Sequence, residues 1–155
     1  MSKRSLRISV VIICSLCAII TIMILAESFR AVISAEEFSS RMIGMGYTVE
    51  EVTDIFEHVE AHIIADCGTF YIEFITHESI TDARLTFNSL RNDLEYLCDI
   101  IPHTWSSSWV NSWYEQWTSD GAYSRIIRIR NTILFVNTTD ENAVDVAKIF
   151  ETLGQ

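Results

Sequence analysis

One proline and five glycines in 155 residues leave little material for phosphate-cradling loops, which need several glycines close together. No repeat or low-complexity tract occurs, and no serine sits in the glycine-flanked elbow of a hydrolase nucleophile. Basic residues are scarce as well. There are 11 Lys+Arg against 21 Asp+Glu, a formal charge of -10, and Lys3, Arg4 and Arg7 are the only charges before Glu27. The remainder carries 8 basic and 21 acidic residues, a net of -13, and such a surface repels nucleic acid and anionic lipid. The arginines of RIIRIR (Arg125, Arg128 and Arg130) are too few and too local to form the basic stripe that a phosphate backbone requires.

What is present first is apolar. Ile8 to Ala26, ISVVIICSLCAIITIMILA, runs 19 residues without a charge, and at about 1.5 Å per helical residue it spans the ~30 Å hydrocarbon layer. The basic residues on its amino-terminal side predict a cytoplasmic N-terminus and export of the rest. A cleaved secretory signal is the rival, but its apolar region usually runs about 7–15 residues, and Ile24 is a poor minus-three residue for cleavage after Ala26. Ile13 and Leu16 stand before Cys14 and Cys17 where a lipidated cysteine wants a small residue. The expectation is a single-pass cell-membrane protein with an N-terminus and transmembrane anchor over 1–26, a spacer over 27–34 and an extracytoplasmic domain over 35–155. In that setting a disulfide between Cys67 and Cys98 becomes possible, closing a loop of about 30 residues for ~3 kcal/mol. Two ordinary buried thiols are the alternative.

The domain reads as α+β, with about five mostly antiparallel strands covered by helices on one face. Ser34 is a candidate cap for a helix carrying Glu37, Phe38, Met42 and Met45 and ending at Gly44 or Gly46. YTVEEVTDIFEHVEAHII is ambiguous between strand and helix; Thr48 and Glu51 suggest a capping box, and helix is favoured at its centre. HIIADCGTFYIEFIT predicts a hairpin turning at Cys67-Gly68, with Phe70, Ile72 and Phe74 on one face. Ile80, Ala83, Phe87, Leu90, Leu94 and Leu97 mark the clearest helix, capped by Ser79 or Thr81. A three-strand meander follows, turning at Asp120-Gly121 and near Asn131-Thr132. DENAVDVAKIFETLG closes the chain as a helix with Asp140 as cap and Ala143, Val146, Ala147, Phe150 and Leu153 inward.

WSSSWVNSWYEQW sets Trp105, Trp109, Trp113 and Trp117 at a constant spacing of four. That spacing puts the indoles on one side of either a helix or a strand. Three consecutive serines disfavour helix, so loop is expected over Pro102–Ser108 and strand over Trp109–Thr118. Asn111 and Glu115 would share the indoles' face, which is therefore half wet. Three uses compete: a core beneath a helix, a contact surface for a ligand or partner, and a belt at lipid headgroups.

EHVEAH places His58 and His62 four apart, but Val59 occupies the position where a zinc protease carries its carboxylate. His58, His62 and Asp66 remain the candidates for a plain metal site, against the more common reading of a solvated acidic face. No local base accompanies either outer cysteine, and no cofactor is expected.

The fragments AEEFSSRMIGMGYTV, FYIEFI, DARLTFNSL and SRIIRIRNTILFV...AKIFETLG together resemble a family of small membrane-anchored or lipoprotein-type proteins of Gram-positive bacteria with no assigned function. The resemblance brings no catalytic or binding residues, and the tryptophan row stands where that family tends to have a lysine-rich connector. The leading expectation is a non-enzymatic anchored domain that contacts an envelope glycan or a membrane or envelope protein through Trp105, Trp109, Trp113 and Trp117. A metal-dependent hydrolase centred on His58 and His62, or a regulatory or assembly subunit of a membrane complex, are the alternatives.

Overall fold

The structure is a computed structural model and describes residues 32–52, 58–96, 103–108, 110–118 and 120–154. Its elements run α1 (Ala35–Gly44), β1 (Thr48–Glu51), β2 (Val59–Asp66), β3 (Tyr71–His77), α2 (Ile80–Tyr96), β4 (His103–Ser107), β5 (Asn111–Trp117), β6 (Ala122–Ile129), β7 (Thr132–Thr139), a 3-10 turn (Asp140–Asn142) and α3 (Ala143–Thr152). The seven strands among the described residues form one antiparallel sheet in the order β1-β2-β3-β7-β6-β5-β4. Two meanders therefore meet at β3 and β7, and the chain crosses between them through α2.

Local chemistry explains the element ends. The Glu37 backbone N–H donates to Ser34 Oγ at 3.1 Å, which satisfies one of α1's orphan amides. Glu37's own carboxylate turns to Arg41 instead of back to the cap. Ser79 does the same for α2, accepting from the Asp82 N–H at 3.1 Å while its hydroxyl donates to the Asp82 carboxylate at 2.6 Å. The β5–β6 connection closes at Gly121, whose φ of +84 suits glycine, and the β6–β7 turn uses Arg130 at φ 55.

Three expectations need correction. Among the described residues the sheet has seven strands, not about five: β1 takes the front of the segment read as helical, and β4 occupies the stretch read as loop. Residues 53–57, the favoured helical centre, lie outside the described residues. The helices also cover both faces. On one face Phe38 and Met42 of α1 and Val146, Ile149 and Phe150 of α3 pack on Ile63, Ile72, Phe74, Ile127, Leu134 and Val136. Phe38 stacks on Phe74 with ring centroids 4.8 Å apart. On the other, Ala83, Phe87 and Leu94 of α2 pack on Ile75, Tyr114, Ile126 and Ile133. The cause is visible in the strands: Phe74-Ile75, Ile126-Ile127 and Ile133-Leu134 are apolar at both parities, so each strand presents an apolar row to each side. In α3, Ile149 is buried and Ala147, expected inside, is exposed.

The third correction concerns the anchor. Among the described residues no helix is long and apolar enough to cross a membrane; the longest, α2, has 17 residues and buries one stripe against the sheet. Residues 8–26 lie outside the described residues. The described residues thus conflict with the single-pass membrane arrangement expected from the apolar run.

Candidate functional site

The tryptophan row does not form one stripe. Trp105 lies in β4, Trp113 and Trp117 lie in β5, and Trp109 is outside the described residues. The β4–β5 register pairs Trp105 with Tyr114 and Ser106 with Trp113, so odd positions of one strand share a face with even positions of the other. Trp105 therefore stands on the α2 side, where the Arg91 guanidinium sits 5.0 Å from its ring centroid. Trp113 and Trp117 stand on the opposite side, that of α1 and α3. Those helices pack over β1, β2, β3 and β7, and the indoles beyond them remain 39% exposed each.

Between these indoles the face is polar and ordered. Four residues along a strand separate Trp113 from Trp117 by roughly 13 Å, with Glu115 midway. Register places Tyr123 beside Trp117 and Arg125 beside Glu115 on β6. Trp117 and Tyr123 hold their rings 5.3 Å apart at 48°. The Tyr123 hydroxyl donates to Glu115 Oε1 at 2.6 Å, and Arg125 Nη1 lies 3.9 Å from the same oxygen. Arg125 in turn lies over the Phe150 ring at 4.9 Å, which ties the patch to α3. Burial first, and then the Glu115 carboxylate, push the Tyr123 phenol above its ordinary range, so it stays a donor at neutral pH. The result is two accessible indoles flanking a fixed carboxylate.

The histidines are not a metal constellation. His58 adopts φ 58 in the turn before β2, with Nδ1 3.4 Å from Glu78 Oε2. His62 is inside β2, 3% exposed, with Nε2 3.2 Å from Glu73 Oε2. Asp66 ends the same strand, roughly 13 Å beyond His62, and its Oδ1 accepts from the Gly68 N–H at 2.7 Å. On a helix His58 and His62 would lie one turn apart, whereas an extended segment spreads positions four apart over roughly 13 Å, so His58, His62 and Asp66 do not converge. No group of three or more His, Cys, Asp or Glu side chains among the described residues is arranged to hold a metal ion. Cys67 forms no disulfide among the described residues, and Cys98 lies outside them. Burial, then the neighbouring Asp66 carboxylate, push the Cys67 thiol up to about 12, so at neutral pH it is protonated and a poor nucleophile.

The roles of two residues were not read from the sequence. Arg128 is fully buried on the α2 face. Its Nη1 donates to the carbonyls of Val110 (2.9 Å) and Arg130 (3.0 Å), and its Nη2 to the Ser108 carbonyl and Ser112 Oγ (2.9 Å each). One guanidinium thus knots the β4–β5 turn to the β6–β7 turn. Burial, reinforced by Arg84, lowers its pKa to about 10. The signal was its parity with Ile126 within RIIRIR. His77 is also fully buried, and both its ring nitrogens lack a hydrogen-bond partner among the described residues. Tyr123 and Arg125 could have been found from the Asp120-Gly121 turn, since a hairpin centred there sets them opposite Trp117 and Glu115.

No protein-family model, curated protein or solved structure matches the chain.

Proposed function

We propose that this protein is a non-enzymatic binding domain, and that the β4–β5 end of its sheet holds a neutral glycan against Trp113 and Trp117. The observation that carries the reading is the exposure of both indoles, 39% each, on a regular strand whose alternate residues Ser112, Tyr114 and Gln116 are buried. Side chains fixed on such a strand lose little freedom when a ligand docks. Indole faces pack against the C–H faces of sugar rings, and tryptophan is the residue most enriched where binding energy concentrates. Glu115, held by Tyr123, accepts hydrogen bonds from sugar hydroxyls between the two rings. A span of roughly 13 Å suits an oligosaccharide longer than one ring. The net charge of -10 disfavours polyanionic ligands and leaves neutral or amino sugars.

Fluorescence titration tests this. A soluble amino-sugar oligosaccharide is expected to shift the tryptophan emission of the wild type. Trp113→Ala and Trp117→Ala should each weaken that binding at least tenfold while leaving the circular dichroism spectrum unchanged. An emission that the sugar leaves untouched, or alanine variants that bind as tightly as the wild type, would remove the proposal.

A further inference from the structure

The two edges of the sheet are built differently. At one end β1 is four residues long, carries Glu50 and Glu51, and lies under α1. Charges and cover of that kind are how edge strands avoid joining other strands. At the other end β4, His103–Ser107, is the last strand of the sheet among the described residues. Residues 104 to 107 are exposed and contain no Asp, Glu, Lys, Arg or proline, and the register with β5 is unbroken over all five pairs. Trp105, 51% exposed, sits in the middle of this strand. An open, uncharged, regular edge on a chain of net charge -10 is a pairing template.

The geometry points to a second copy of this chain as the occupant, with β4 pairing antiparallel to β4 about a twofold axis through Trp105. In that register Thr104 faces Ser106 of the other copy, Ser106 faces Thr104, and the two Trp105 rings meet at the axis. Hydroxyl–hydroxyl and aromatic pairs directly opposite one another are favourable cross-strand partners, and no like charges on the two strands oppose each other. The strand is thus complementary to itself, as an isologous interface requires. Each Arg91 beside Trp105 brings its own counter-charge, Glu95 Oε1 at 3.5 Å from Nε. Joining β1 to β4 instead would give an open chain of molecules, and the glutamates of β1 oppose it. The twofold makes one fourteen-stranded sheet with both Trp113–Trp117 rows on the same side. This inference stands apart from the sugar reading, because Thr104 to Ser106 pair through backbone whatever the indoles of β5 hold.

Sedimentation equilibrium of the full-length chain tests it. The wild type is expected to dimerise as concentration rises, and amide exchange in β4 should slow in step. Thr104→Lys with Ser106→Lys places lysine opposite lysine twice and should weaken association at least tenfold. Thr104→Glu with Ser106→Lys places opposite charges there and should keep the dimer. Both sites are exposed, so both variants keep the wild-type circular dichroism spectrum. A chain that stays monomeric with fast β4 exchange overturns the proposal, as does a dimer indifferent to the two lysines, whose interface then lies elsewhere. Dissociation by both double variants overturns the register centred on Trp105. The oligosaccharide titration is read on Trp113 and Trp117 separately, so either idea can fail without the other.

Discussion

Arg128 and His77 show how much one buried polar side chain decides. Arg128 donates to three carbonyls and a serine hydroxyl at once. Arg128→Ala removes all four bonds, leaving among the described residues the Val110 carbonyl only the Arg130 N–H and Ser112 Oγ only Ser107 Oγ, and is expected to destabilise the fold by about 2–4 kcal/mol in chemical denaturation. Arg128→Lys should recover only part of that, because an ammonium cannot reproduce the planar fork. His77 behaves oppositely: burial holds its imidazole below the usual histidine range, against a weaker pull from the His58 backbone and Asp82, while the His58 ring adds to the lowering. A depressed folded pKa means that the unfolded chain binds the proton more readily. Stability is therefore full above about pH 6.5 and declines as pH falls below it, by at most about 1.4 kcal/mol per pH unit until the folded pKa is reached. His77→Phe should flatten that part of the profile; an unaltered slope in the variant would remove His77 as the cause of the loss.

At the scale of elements, caps and turn parity matter more than propensity. Ser34→Ala removes the acceptor for the Glu37 amide and is expected to cost about 1 kcal/mol, read as a lower denaturation midpoint. Gly121→Ala forces a side chain into φ +84 with Asp140 Oδ1 3.5 Å from the added carbon. A loss of about 1–2 kcal/mol should follow, mostly from backbone strain. The hairpin between β4 and β5 explains the fate of the tryptophan row. A spacing of four keeps side chains together only while the chain stays in one element, and the turn after Ser107 reverses the parity. Trp105 was thereby separated from Trp113 and Trp117, and the serines that argued for loop became the uncharged edge of the sheet.

For the whole molecule, the consequential feature is a sheet buried on both sides. Ile126 and Ile127 are adjacent, 0% and 4% exposed, and belong to different cores. Ile126→Ala and Ile127→Ala should each cost about 2–5 kcal/mol, whereas a sheet covered on one face would tolerate one of the two. Equal tolerance at position 126 or 127 would contradict the two-layer packing. The sequence alone determined the α1, α2 and α3 helices, the Cys67-Gly68 hairpin and the β5–β7 meander, because 3.6-residue stripes, glycine turns and the serine caps of α1 and α2 are local physics; Asp140, expected to cap α3, lies instead in the 3-10 turn ahead of it, and α3 has no side-chain cap bond among the described residues. The sequence could not determine that β1 and β4 are strands, since extended edge residues gain their hydrogen bonds only from a neighbour distant in the chain or across a turn. Nor could it say which tryptophans share a face, that His58, His62 and Asp66 lie apart, or that Arg128 is buried. Those outcomes depend on strand register and on which helix lies over which row, and only tertiary structure sets either.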